Sequence, residues 1–456
     1  MADRVVVTGA PTLRRNIALL SMLQSLNYVT PLVTIPHLVR ALGPSHYGLL
    51  AFAQALTLYF DVFTDFGFSL SATREVALNR DQPELLRTTF FSTITVRIAL
   101  MLVSALIYSV IVLSTPRLRT TPLLFASTFL VVVGTALFPV WFFQGLQQLK
   151  LPTAAMATSR ILTVPSIYLF VHRPEDVVMT GAIQGGVPVL TALMVAPWVW
   201  RRLGRRVYRP GLADLVRALC SGWHAFVSNS TLLLSTSSTA VILGFVAGNV
   251  QVGYFSAAEK PVKALTALLS PVMQALYPYL TALKEESTEL ALTCLRRSFR
   301  LILLLGLAAS VGTLVFAGPV SRLVFGPSFQ PSILVIKCLA PLPLLVGIVN
   351  VLGLQTMMVF RMDALVTRVL IFCALATLPL LVLLSHWLGA AGAAVASATG
   401  MALIAGSMAV ILHGKGLAVW RAARHIVPSH TPVLGVHGVA GSAKRRPAGE
   451  SASVST

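Results

Sequence analysis

Apolar stretches about as long as a bilayer is thick recur from one end of this chain to the other, and they leave few folds open. They fall near 16–38, 47–70, 90–113, 122–145, 154–171, 178–199, 222–246, 253–280, 300–321, 333–358, 364–385 and 388–412. A helix crosses the hydrocarbon with about 20 apolar residues. The stretches do not alternate polar and apolar residues as barrel strands do, so they predict helices. Composition agrees: 56% of residues are hydrophobic and 11% charged, against about 25% charged in soluble domains. Pro31, Pro139 and Pro271 fall inside apolar stretches. Membrane helices tolerate such kinks when neighbours satisfy the freed carbonyls. The start, "MADRVVVTGAPTLRR", has no apolar core ahead of a small-residue cleavage site, so no cleaved signal peptide is expected. The expected fold is all-α and integral to the membrane, with about twelve transmembrane helices.

The formal net charge of +20 would suggest nucleic acid in a soluble protein. Here its distribution argues for loops on one side of a membrane, and no nucleic-acid partner is expected. With the N-terminus placed in the cytoplasm, the inner loops hold most of the loop Lys and Arg. "WRRLGRRVYRPGLADLVRAL" is the most basic of them. Only Arg40, Arg117, Arg119, Arg173 and Arg322 fall in outer loops. This is the positive-inside pattern, and it predicts a multi-pass protein of the bacterial inner membrane with both termini cytoplasmic. The tail is rich in small and polar residues, as disordered segments are, and its "KRR" is placed to meet anionic lipid. Cys220, Cys294, Cys338 and Cys373 are scattered singly, with no CxxC, and read as small apolar residues. No metal or organic cofactor is expected.

The basic loop divides the chain into an N-terminal six-helix lobe (1–200), a basic cytoplasmic linker (201–221), a C-terminal six-helix lobe (222–415) and a cytoplasmic tail (416–456). The lobes read as copies. "ALGPSHYGLLAFAQAL" (41–56) lies over "VAGNVQVGYFSAAEKP" (246–261), with Gly43 over Gly248, Gly48 over Gly253 and Gln54 over Glu259. "FFQGLQQLK" (142–150) lies over "GLQTMMVFR" (353–361), with Gln144 over Gln355 and Lys150 over Arg361. Six helices per lobe preserve sidedness, so the repeats are parallel, related by an axis along the membrane normal.

Charges inside the apolar stretches are costly and face protein or water-filled space. Arg97, Arg160, Lys337 and Arg368 lie near segment ends, where snorkelling accounts for them. Glu259 and Lys263 lie deeper, roughly 9 and 15 Å below Gly253 at 1.5 Å per residue. They begin a polar face through Ser256, Glu259, Lys263, Thr266, Ser270, Gln274 and Tyr277, with Lys260 beside it. Similar faces run through His224, Ser228, Thr231, Ser235 and Ser238, through Ser21, Gln24 and Tyr28, and through Gln54, Thr57, Asp61 and Thr64 with Asp65 adjacent. Segments 1, 2, 7 and 8 are therefore expected to line a central cavity. "GAAGAAVASATG", with Gly392, Ala396 and Gly400, reads as helix packing alone.

"PHLVRALGPSHYGLLAFAQAL", "FTDFGFSLSATREVA", "FPVWFFQGLQ" and "VGYFSAAEKPVKALTALLSPVMQALYPYL" resemble the Wzx-type O-antigen and exopolysaccharide flippases of the multidrug/oligosaccharidyl-lipid/polysaccharide (MOP) exporter superfamily. The resemblance spans roughly 13–415. It implies a MATE-like fold of two lobes around a cavity and a carrier, not an enzyme. The implied substrate is undecaprenyl-diphosphate-linked oligosaccharide, moved by alternating access for surface polysaccharide biosynthesis. Membrane lipids, a polysaccharide polymerase and chain-length proteins are the implied partners. Lys260 and Lys263, with Arg74 at the cytoplasmic mouth, would engage the diphosphate. Glu259, Asp61, Asp65, Gln24, Gln54, Ser235, Thr266 and Gln274 complete the candidate cavity residues. Coupling to H+, Na+ or membrane potential stays open, and a multidrug or cation antiporter of the same superfamily is the alternative. A membrane glycosyltransferase or polymerase would need larger outer loops than this chain has.

Overall fold

A computed structural model of the chain describes residues 10–204, 208–267, 270–417 and 419–420. Nearly all of the tail expected from 416 lies outside them. Among the described residues there are helices and turns but no strand. The α-helices are α1 (Ala10–Asp65), α2 (Phe68–Leu78), α3 (Pro83–Ser114), α4 (Pro122–Leu137), α5 (Val140–Gly145), α6 (Lys150–Phe170) and α7 (Val177–Leu203). They continue as α8 (Leu212–Ala247), α9 (Asn249–Ala267), α10 (Ser270–Glu286), α11 (Thr288–Pro319), α12 (Ser332–Leu339), α13 (Leu342–Asn350) and α14 (Asp363–Gly414). Two π-helical stretches, Val320–Phe325 and Val351–Met358, extend α11 and α13.

α1 has 56 residues and α14 has 52. Straight, each would run about 80 Å, far beyond the ~30 Å of hydrocarbon. Each instead holds two crossings, divided by a glycine outside the helical range: Gly43 (φ 67°, ψ 173°) and Gly389 (φ 58°, ψ −131°). The left-handed φ is costly for any residue with a Cβ. With α4–α5, α9–α10 and α12 through Met358 each taken as one crossing, about twelve result, as the sequence predicts. Among the described residues, seven helical stretches are long and apolar enough to cross a membrane by length and composition alone. The segment carrying Glu259, Lys260 and Lys263 is not among them.

The two sets of six crossings repeat each other in backbone detail. Gly248 (φ 95°, ψ 172°), between α8 and α9, takes the conformation of Gly43. A Cβ on Gly48 would collide with the Asn249 carbonyl, and one on Gly253 with the Pro44 carbonyl. Pro44 and Asn249 each follow the turn glycine, so the contact is reciprocal, as a pseudo-two-fold axis requires. The second internal match shifts by three residues. Gln147 (φ 59°) and Arg361 (φ 56°) end the fourth and tenth crossings in the same turn. The Gln148 N–H donates to the Phe143 carbonyl (2.9 Å) and the Met362 N–H to the Met357 carbonyl (2.8 Å). Gln147, not Lys150, is the counterpart of Arg361. What repeats is the backbone turn, and the shared glutamines were a false guide to its register.

Buried apolar side chains form one cluster joining the sets near Gly43, including Leu38, Phe52, Val252, Phe255, Phe325 and Phe329. Arg117 reaches across this join: Nη1 donates to the Gly244 carbonyl (2.9 Å) and Nη2 to Asn249 Oδ1 (3.2 Å). Arg40 likewise donates to the Leu323 carbonyl. Toward the opposite, basic end lie two more clusters, and α8 of the second set packs into the first of them through Ala218. One surrounds Trp141, Phe142 and Phe143; another surrounds Leu295, Leu352 and Met357. Leu102, Leu106 and Val110 on α3, and Leu304, Val311 and Val315 on α11, point outward as a lipid-facing surface requires. Loop carboxylates order the links outside the membrane. Asp176 accepts the His172 and Arg173 N–H groups, which hold its carboxyl below the usual range. The Tyr208 hydroxyl and the Gly211 N–H do the same for Asp214 in the first turn of α8.

Candidate functional site

α9 separates two cavities, one in each set. The first, of about 300 Å³, is lined by Thr34, Tyr47, Gln54, Thr57 and Asp61 of α1, Thr128 of α4, Arg160 and Thr163 of α6, and Gln184 of α7. Lys260 of α9 completes it. The second, of about 460 Å³, is lined by Ser238 and Thr239 of α8, Glu259, Lys263 and Thr266 of α9, Asn350 of α13, and Thr377 and Ser397 of α14. Equivalent crossings build both walls: the first, second, fourth, fifth and sixth of each set. The central space that the polar faces of segments 1, 2, 7 and 8 predict is thus divided into two chambers.

Lys260 lies about 100° around α9 from Glu259 and about 60° from Lys263, and it lines the first cavity while they line the second. Glu259 Oε1 and Lys263 Nζ pair at 2.9 Å in the second cavity, with side chains 19% and 55% exposed. The Thr266 hydroxyl is turned back onto the Val262 carbonyl at 2.8 Å. In the first cavity Gln54 donates to Gln184 Oε1, and Asp61 accepts from the Thr135 hydroxyl. Asp65 is not in the cavity wall. It pairs with Arg97 Nη2 at 3.2 Å and accepts from Ser69 Oγ at 2.7 Å. Arg74 is exposed on α2, apart from both cavities. The side chains of Gln24, Ser235 and Gln274 lie outside the described residues.

Arg97 does not snorkel. Only 4% exposed, it lies against Asp65, a partner from a neighbouring crossing that distance to a segment end cannot reveal. Arg160 does not snorkel either, because it lines the first cavity. Lys337 and Arg368 are exposed, as expected. The sequence also gives no notice of Gln184, Asn350, Thr377 or Ser397 as wall residues, since each is isolated in an apolar stretch without a periodic partner. The small residues of the last crossing do pack closely. A Cβ on Gly392 would meet the Leu384 carbonyl, and one on Gly400 the Thr377 side chain. Ser397 on the same arm nevertheless faces the second cavity. Both chambers therefore offer hydroxyl and amide groups that donate and accept, inside an apolar shell.

The family described as polysaccharide biosynthesis protein matches residues 13–284. An Escherichia coli (strain K12) protein described as an O-antigen transporter is 29% identical over 412 residues, which cover 90% of this chain and 99% of that protein. Among solved structures, a multidrug resistance MATE family transporter of the MOP superfamily, inward-facing, superposes with a TM-score of 0.66 at 15% identity. That match covers 89% of this chain and 98% of the other. The lipid II flippase MurJ, in an inward closed conformation, superposes with a TM-score of 0.65 at 12% identity, covering 88% and 90%. These structural likenesses show a shared all-helical, two-lobed fold.

Proposed function

The chain belongs to the polysaccharide biosynthesis protein family, and from that premise we propose that it flips lipid-linked oligosaccharide across the bacterial inner membrane. The lipid carrier in this proposal is undecaprenyl diphosphate, and the movement is alternating access. The observation that carries it is the pair of equivalent polar chambers, both holding charged side chains, enclosed by helices whose outer surface is apolar. A carrier of a polar headgroup needs such an interior, while a prenyl tail can stay in lipid. Alternating access needs two bodies joined at one end and free to part at the other. The core near Gly43 joins the sets, while toward the basic end the core around Leu295 stands apart from the one around Trp141, into which α8 packs. The positive-inside pattern supports a cytoplasmic placement of the basic end and both termini.

Gln54, Asp61 and Lys260 in the first chamber, and Glu259, Lys263 and Thr266 in the second, are the substrate-facing candidates. Arg74 is kept for the cytoplasmic mouth, and Asp65 acts through Arg97. A polysaccharide polymerase and chain-length proteins are the partners this function entails. The test is a leaflet assay in vesicles holding the purified chain and undecaprenyl-diphosphate oligosaccharide. Protein-dependent appearance of the sugar in the opposite leaflet is expected. No movement with several such lipids, together with transport of lipophilic cations, would replace the flippase by an antiporter.

A further inference from the structure

Arg40, Arg117, Arg119, Arg173 and Arg322 stand in the loops at the Gly43 end, against the positive-inside pattern. Among the described residues, two of the five bond the other set. Arg117, in the turn between α3 and α4, donates to the Gly244 carbonyl (2.9 Å) and to Asn249 Oδ1 (3.2 Å). Gly244 belongs to the last turn of α8, where carbonyls have no donor within the helix. Arg40 donates to the Leu323 carbonyl, inside the π-helical stretch Val320–Phe325. The turn that presents Arg117 is itself fixed. The Leu118 and Arg119 N–H groups donate to the Thr115 carbonyl (2.9 and 3.0 Å), and Leu118 is buried in the shared core. Arg117 is thereby held over Gly248, where a Cβ would come within 2.9 Å of Nη2.

Each bridge grips the entry to a chamber wall. Arg40 precedes the Gly43 turn into the second half of α1, which carries Tyr47, Gln54 and Asp61. Asn249 opens α9, which carries Glu259 and Lys263. The core beneath is apolar and buried, but the bonds of Arg40 to Leu323 and of Arg117 to Asn249 are exposed. When such a bond parts, water takes over the guanidinium and the oxygen it leaves, so the loss is modest. Asn249 accepts without a charge of its own, which keeps the grip below that of two opposite charges.

We propose that Arg40 and Arg117 are a paired latch, holding the two sets shut at the Gly43 end and releasing to let substrate out there. The latch rests on the alternating access proposed above. The apolar core supplies the bulk of the join, and the two arginines set how often it opens. The planar guanidinium of Arg117 spans a carbonyl and an amide at once, which a lysine could not do with the same geometry.

The test reads that opening. Ser256 lies three residues past Gly253 in α9 and is 5% exposed, so a cysteine there reacts with a hydrophilic maleimide when the sets part. The full chain, with its four cysteines replaced by alanine and Ser256→Cys added, is held in lipid nanodiscs and its labelling rate measured. Arg40→Gln and Arg117→Gln should each raise the rate about three- to tenfold, and together further. Asn249→Asp should lower it by up to roughly fivefold, because the neutral acceptor becomes an ion-pair partner. That slowing should vanish when Arg117→Gln is added. Arg119→Gln, in the same turn, should leave the rate unchanged. Equal rates in all variants overturn the latch, and so does Asn249→Asp speeding the reaction as Arg117→Gln does. Ser104→Cys, fully buried inside the first set, is the control. A parallel rise there would mean that the arginine variants only loosen the fold, and would also overturn the latch. If Arg117→Gln does not fold, Asn249→Asp decides: no slowing rejects the proposal. The leaflet assay separates the two levels. Flipping by the unaltered chain, with no change in labelling among the variants, rejects the latch alone. No flipping by the unaltered chain, with labelling shifted as expected, rejects the function and leaves the latch standing.

Discussion

The second crossing of each set, residues 44–65 in α1 and the α9–α10 segment, has one backbone plan and two chemistries. Gly43 and Gly248 turn the chain alike, and Gly48 and Gly253 cross reciprocally. Beyond the crossing the copies part. Gln54 bonds Gln184 where Glu259 bonds Lys263, and Asp61 stands where Thr266 stands. The two carboxylate ion pairs also differ in kind. Arg97 and Asp65 are 4% and 20% exposed, while Lys263 and Glu259 are 55% and 19%. The duplication constrains the residues that let backbones touch. Positions that only face a chamber are free to diverge, and there the charges differ.

The largest expected effect tests that difference in kind. Arg97→Met strands Asp65 without its cation and should cost about 3–5 kcal/mol, as for other broken buried pairs. Lys263→Met should cost at most about 1 kcal/mol, because its ammonium stays solvated in the cavity. Thermal unfolding of the purified variants measures both. Equal losses would erase the distinction between a structural pair and an adaptable one. Arg97→Met with Asp65→Asn should recover part of the loss, since Asp65 no longer carries an uncompensated charge.

Next in size is the crossing itself. Gly48→Ala and Gly253→Ala each push a Cβ into a backbone carbonyl that cannot rotate away. Each should cost about 1–3 kcal/mol, the usual range for overpacking. Because the contact is reciprocal, the two losses should be similar. A large loss at one and none at the other would mean that the sets do not meet on a pseudo-two-fold axis. Gly186→Ala is the control, as a Cβ there meets nothing within 4 Å.

Much of this architecture is legible in the sequence, because apolar length reports crossings and repeated glycines report close backbone approach. The Gly43/Gly248 match is read correctly for that reason: glycine there answers a backbone demand that both copies share. The Gln144/Gln355 match slips by three residues because side chains at a turn are free to change while the turn stays. Periodicity places Glu259 and Lys263 on one face but cannot say which neighbour that face meets. It also does not show that Lys260, one step around the helix, enters the other chamber. Arg160 has no periodic companion at all. Its role emerges only when α6 is packed against α1 and α7 around a shared space.

The smallest effect sharpens the comparison most. Glu259 and Lys263 neutralise each other in the second chamber. Glu259→Gln should release the Lys263 ammonium to meet an anion. Exposed ion pairs contribute about 0.2–1 kcal/mol, which bounds the gain in anion affinity at roughly fivefold. Glu259→Gln should therefore strengthen binding of farnesyl diphosphate to the purified chain by no more than that factor. The gain should vanish when Lys263→Gln is added. If Glu259→Gln weakens binding instead, the carboxylate itself serves the substrate. The two chambers would then differ in what they hold, and not merely in how their charges are paired.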